Sequence, residues 1–171
     1  MELKEAIGTL SDLPEILKIY LGNLDDAELH FQPGDGNFSV LETVCHLRDI
    51  EIEGYRVRVQ RILAEKNPRL PDIDGGQLAR ERRYRGQELR PALDAFVQAR
   101  YTNLRILERL SKTQLARAGF LEPLGKITLS RLLELWVEHD QGHVHELEHL
   151  RSVLRAPSPD SQQAFSRSTT I

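Results

Sequence analysis

The sequence predicts an all-α fold, a four-helix bundle with a long crossover between its second and third helices. Three observations carry this expectation. Apolar residues recur at three- and four-residue spacing in four separate segments. Capping residues, glycines and prolines bound those segments. No stretch alternates apolar and polar residues for long enough to be read as a strand, and no internal repeat is present.

The first helix is expected over about Leu10 to Leu24, with Ser11 or Asp12 as N-cap and Pro14 in the first turn, where a missing N–H costs nothing. The stretch His30-Phe31-Gln32-Pro33-Gly34-Asp35-Gly36-Asn37 is too rich in turn formers to hold a regular element. Ser39 opens the second helix, and Glu42 three residues later completes a capping box. This helix is expected to reach about Lys66 and to stop before Pro68. Residues 68–86 form the long connection, with one helical turn around Gln77 to Arg83. The third helix spans about Glu88 to Leu110, its apolar side built from Leu93, Phe96, Val97, Tyr101, Leu104, Ile106 and Leu107. After a loop from Gly119 to Gly125, Thr128 or its neighbour opens the fourth helix, which runs to about Leu154 before Pro157 and Pro159. One domain therefore covers 1–155, and the Ser-, Pro- and Gln-rich segment 156–171 reads as a mobile tail.

At 171 residues the chain is large enough to bury a core without staples. Its net charge of −3 is spread over interspersed acids and bases, which gives no reason to expect a nucleic-acid or anionic-membrane partner. A single cysteine, Cys45, excludes an internal disulfide and fits a reducing compartment. The opening Met1-Glu2-Leu3-Lys4-Glu5 lacks the basic and apolar regions of a signal peptide, and no apolar run has the length of a membrane span. The expectation is a cytoplasmic protein.

Histidines carry the functional signal. His139 and His143 lie one helical turn apart in Trp136-Val137-Glu138-His139-Asp140-Gln141-Gly142-His143. At about 100° per residue, both fall in the arc of Leu129, Leu132, Trp136, Leu147 and Leu150. His145 and His149 repeat the spacing about 240–280° away, on the solvent side. His46 sits on the second helix between an apolar face (Ile50, Val57) and an acidic flank of Glu42, Asp49 and Glu53, carboxylates placed to fix its tautomer. Two imidazoles side by side in a core leave up to four ring nitrogens in need of partners, and a divalent metal satisfies several at once. A core pair satisfied by hydrogen bonds is the competing reading. His46, His139 and His143 are thus the candidate metal ligands. Three neutral imidazoles favour a divalent transition metal, with zinc or nickel first, and leave a fourth position for water or substrate unless Glu53 or Asp140 fills it. Asp140 falls within the apolar arc and requires an arginine, for example Arg100 or Arg56. Cys45 points about 100° away from His46 and reads as a small buried residue. The cluster Arg80-Glu81-Arg82-Arg83-Tyr84-Arg85 reads first as loop-pinning salt bridges and second as a grip on an anionic substrate.

The segments Phe38-Ser39-Val40-Leu41-Glu42-Thr43-Val44-Cys45-His46-Leu47-Arg48-Asp49-Ile50-Glu51 and Gly125 to His143 resemble the DinB/YfiT superfamily of metal-binding four-helix bundles. The stretch Leu78-Ala79-Arg80-Glu81-Arg82-Arg83-Tyr84 resembles the crossover of that family. The resemblance implies metal ligation by His46, His139 and His143, a homodimer, and chemistry on a small-molecule substrate. Members with an assigned reaction are thiol-dependent transferases and isomerases. The implied function is a metal-dependent enzyme that activates a low-molecular-weight thiol or a water, as a transferase or a hydrolase. The alternative is a non-catalytic metal-binding stress-response protein. One departure stands out: Glu146 occupies the place three residues after the last ligand where the family often has Gln.

Overall fold

A computed structural model describes residues 1–34 and 36–155. The expected tail, 156–171, lies outside the described residues, as do Pro157 and Pro159. The elements in order are α1 (Leu3–Leu21), α2 (Asp26–His30), α3 (Val40–Asp49), a π-helical segment (Ile50–Tyr55), α4 (Arg56–Ala64), α5 (Gly75–Glu81), a 3₁₀ turn (Tyr84–Gly86), α6 (Leu89–Leu107), α7 (Lys112–Leu115), β1 (Ala118–Leu121), β2 (Gly125–Thr128) and α8 (Leu129–Leu154). The four long helical units make the bundle. α1 and α3 each pack on α6 and α8.

The second, third and fourth helical units stand where the sequence put them. Ser39 Oγ accepts from Glu42 N while Glu42 returns a bond to Ser39 N, the expected capping box. Thr128 caps α8 by accepting from Arg131 N at 3.1 Å.

Three features differ from expectation. α1 starts at Leu3, so Pro14 lies inside it and not in its first turn. Ser11 does not cap; its hydroxyl donates to the carbonyl of Gly8. The buried stripe Ala6, Leu10, Leu13, Leu17, Leu21 extends the helix through the proline, whose missing N–H leaves the Leu10 carbonyl unclaimed. Secondly, a short antiparallel hairpin pairs Ala118 with Thr128 and Leu121 with Gly125. Leu70 N and Pro68 O bond to Phe120 on its outer edge, so the hairpin receives the start of the crossover. Four-residue strands are too short to show alternation. Thirdly, the second helix contains a π-turn, where the Arg56 N–H reaches back to Glu51 O. Such a turn rotates everything after it by about one residue, roughly 100°, relative to a uniform wheel. Val57 is accordingly half-buried, whereas Arg58, Val59 and Ile62 face inward.

The core divides into two apolar clusters. One contains Leu13, Leu17, Leu47, Phe96, Val97 and Leu147; the other contains Leu10, Ile50, Val59, Leu104, Trp136 and Val137. On the long helices the boundary between them falls at the same level. There sit Glu51, Arg100, Asn103 and Asp140, all buried. The polar layer of this bundle is the base of the site.

Candidate metal centre

α3 delivers His46 and α8 delivers His139 and His143 to one point. The Nε2 atoms of His46 and His139 are 3.2 Å apart, as are those of His143 and His139. Ligand atoms from all three lie within 4.8 Å of one another, with no fourth His, Cys, Asp or Glu in the group among the described residues. His145 and His149 are exposed, on the outer face as periodicity indicated.

Carboxylates set the tautomers of the α8 pair. His143 Nδ1 lies 2.7 Å from Glu146 Oε2, and His139 Nδ1 lies 3.4 Å from Asp140 Oδ1. With both Nδ1 atoms protonated toward these acceptors, both Nε2 atoms present lone pairs. His139 Nε2 then faces two other imidazole nitrogens with a single lone pair of its own. At most one of its 3.2 Å contacts can be a hydrogen bond, and the other sets lone pair against lone pair. A cation at the convergence removes the conflict. Ligands at ~2.0–2.1 Å from a tetrahedral ion stand about 3.3 Å apart, close to the spacing seen here. The donor set therefore fits a divalent metal.

Electrostatics favour the ligating, neutral form. Burial, with the neighbouring imidazoles, pushes His46 down to about 3. Burial also lowers His139, against the lift from Asp140. Asp140 is raised by burial, but Arg100 and the His139 hydrogen bond hold it below the usual carboxylate range. Arg100 donates to Asp140 Oδ2 at 2.6 Å and, through two nitrogens, to both oxygens of Glu51 at 3.0 and 2.8 Å. Asn103 adds a bond to Glu51. Of the two candidate arginines, Arg100 pairs with Asp140, and Arg56 instead donates to Asn103 and the Ala99 carbonyl.

His46 is held by packing. Its Nδ1 is buried without a hydrogen-bond partner. Phe38 lies 5.3 Å from its ring, and Gly75 of the crossover presses so close that a Cβ there would sit 2.6 Å from Cε1. The carboxylates expected to orient it do other work. Glu42 caps α3 and meets Gln32 and Arg85; Asp49 takes Arg48, Arg82 and Tyr84; Glu53 takes Arg82. With Glu53 on Arg82 and Asp140 on Arg100, neither joins the cluster. Cys45 is fully buried and turned to Gln87, its thiol pushed up to about 11 by burial. The Glu146 partnership follows from i, i+3 spacing on α8 and was legible there; the Gly75 contact was not.

A cleft of about 430 Å³ opens beside the cluster, lined by Phe38, Thr43, His143, Glu146 and His149 among others. Clefts of about 550 and 620 Å³ elsewhere contain no histidine.

A helical bundle with a three-histidine convergence between its second and fourth long helices defines a class, the four-helix bundles with a histidine cluster fit to hold a metal. Within it, the chain belongs to the DinB superfamily, whose sequence profile matches residues 9–147. It is 25% identical over 154 residues to an Oceanobacillus iheyensis protein named "Putative metal-dependent hydrolase", covering 90% of this chain and 86% of that one. A Bacillus licheniformis protein of the same name is 27% identical over 150 residues, covering 86% and 84%. Among solved structures, YfiT from Bacillus subtilis superposes with a TM-score of 0.82 at 22% identity, covering 90% of this chain and 87% of that one. It is described as "a probable metal-dependent hydrolase with an unusual four-helix bundle topology". That likeness supports the fold. No helix among the described residues is long and apolar enough to cross a membrane.

Proposed function

We propose that the protein is a metal-dependent hydrolase acting on a small molecule, with zinc or nickel held by His46, His139 and His143. The convergence of three imidazole Nε2 atoms carries this reading. The names of the curated relatives support the reaction class. When bound, such an ion supplies Lewis acidity and lowers the pKa of a bound water, or of a thiol, toward neutrality.

The chain's own residues do the rest. His46 stays neutral because its surroundings are dry, so no proton has to be displaced from it at neutral pH. Asp140 and Glu146 hold protons on the distal nitrogens of His139 and His143 and so keep the facing lone pairs available. The absence of a fourth protein ligand among the described residues leaves room for an exchangeable one, the mark of a catalytic rather than a purely structural site. Cys45, sealed in the core, cannot act as nucleophile, so any thiol chemistry draws its thiol from a cosubstrate.

The test has two parts. Elemental analysis should find about one zinc or nickel per chain in wild type and little in His139→Ala. The loaded protein should then hydrolyse activated esters or amides in a His143→Ala-sensitive manner. Equal metal in wild type and variant refutes the ligand set. Turnover only with added bacillithiol, mycothiol or glutathione replaces the hydrolase with a thiol transferase. Metal that is bound but supports neither reaction leaves the non-catalytic alternative standing in its place.

A further inference from the structure

We propose that Arg80 and Arg83 form an oxyanion subsite that anchors a carboxylate or phosphate of the substrate beside the three-histidine centre. This deepens the hydrolase reading and rests on it for the word substrate. The site itself rests on separate residues. A cleft of about 480 Å³ is lined by Phe38, Glu42, Ala79, Arg80, Arg83 and Tyr84 among others. It shares Gly36, Asn37 and Phe38 with the cleft that contains His143 and Glu146. Phe38 is thus the common wall, with the His46 ring 5.3 Å behind it.

The arginines of this segment divide by what they touch. Arg82 is committed to Asp49 and Glu53, and Arg85 to Glu42 and Gln32. Arg80 and Arg83 meet no carboxylate among the described residues. Glu42, the acid on the cleft wall, is already engaged by Ser39 N, Gln32 and Arg85, which reduces its repulsion of an incoming anion. The floor under the pair is rigid: the Tyr84 hydroxyl donates to buried Asp49 at 2.6 Å. Arg83 itself has φ 51° and ψ 56°, a left-handed conformation that side chains other than Gly, Asn and Asp seldom adopt. Two planar guanidiniums suit the paired oxygens of carboxylate or phosphate, and the Phe38 ring and Ala79 offer an apolar wall for what the anion is attached to.

The probes are phenyl phosphate, benzoate and neutral benzamide, titrated calorimetrically into wild type, Arg80→Gln/Arg83→Gln and His143→Ala, with metal content measured in each. Both anions, or one of them, should bind wild type and His143→Ala alike, weaken with salt, and bind the double variant about tenfold or more weakly, as expected for lost charged hydrogen bonds. Benzamide should not bind. Arg83→Gly, which relieves the backbone while removing the guanidinium, should fold at least as well as wild type and lose affinity too. Unchanged affinity in the double variant overturns the subsite. So does binding that disappears in His143→Ala, since the anion would then sit at the histidines. A wild type without metal that still binds the anions through the arginines would refute the hydrolase reading and leave the subsite intact.

Discussion

Arg100 donates to the carbonyl of Leu10 at 2.7 Å, the carbonyl from which Pro14 withholds its helical partner. The proline's cost in α1 and the burial of a guanidinium on α6 thus offset each other in part. The same side chain holds Glu51 and Asp140, so one residue joins α1, the π-turn and the helix that carries two of the three histidines.

Replacing Arg100 by Met, which keeps the volume, leaves two buried carboxylates without a counter-charge. Breaking a buried pair in this way costs about 3–5 kcal/mol. Urea denaturation should show a lower midpoint with an unchanged slope. A loss below about 1 kcal/mol, the scale of a surface pair, would mean that the layer is not a buried ion network at all.

Glu146 accepts from His143 and is itself well exposed, so it can be changed without disturbing the core. Its carboxyl lies below the usual range because of that hydrogen bond. Glu146→Gln should weaken metal binding by about 10-fold, at the lower end for partners of ligand histidines, with an unchanged melting temperature for the metal-free protein. Competition against a chromophoric chelator measures this. Affinity equal to wild type would show that the His143 tautomer needs no help from Glu146.

Local chemistry made much of this legible in the sequence. The capping box at Ser39/Glu42 and the side-chain cap at Thr128 specify helix starts through bonds spanning three residues. The His139–His143 pair lies on an undistorted helix, where a uniform wheel is accurate. On the second helix the wheel is accurate at His46 but misplaces Val57, because the π-turn intervenes. Ser11 looked like a cap because its preference is local, while the continuation of α1 back to Leu3 is decided by burial against other helices. The expected carboxylate partners of His46 failed for a related reason: arginines of the crossover, remote in sequence, claimed them first.

Asp49 ties that crossover to α3 through Arg82 and Tyr84, and its neighbour Arg48 is a third partner. Burial raises its carboxyl, but these partners more than reverse the effect and leave it below its ordinary value. A carboxyl with a folded-state pKa below the unfolded one stabilises fully above about pH 4, and the contribution is lost as pH falls through the folded value. Asp49→Asn should therefore cost about 1–3 kcal/mol at pH 7 and give a shallower loss of stability below pH 4 than wild type. Parallel acid limbs in the two proteins would remove Asp49 from the acid sensitivity.

Gly75 supplies the last prediction, because its missing side chain shapes the pocket that holds His46. A Cβ at this position would stand 2.6 Å from His46 Cε1 and 2.8 Å from Nδ1, closer than real contacts allow. His46 has Phe38 on one side and the α8 imidazoles on another, so it can yield only by carrying its Nε2 away from the convergence. Gly75→Ala should lower metal affinity by at least about tenfold, a displacement effect on the scale seen when support for a ligand is lost. The bundle should remain folded, since α5 begins at Gly75 and alanine favours helix. Gly8→Ala is the control: nothing lies within 4 Å of its Cβ position, it is exposed within α1, and it should stabilise by about 0.5–1 kcal/mol with metal affinity unchanged. Chelator competition and thermal melts on the two variants separate the outcomes. Wild-type metal affinity in Gly75→Ala would show that the crossover can retreat from His46 and does not position it.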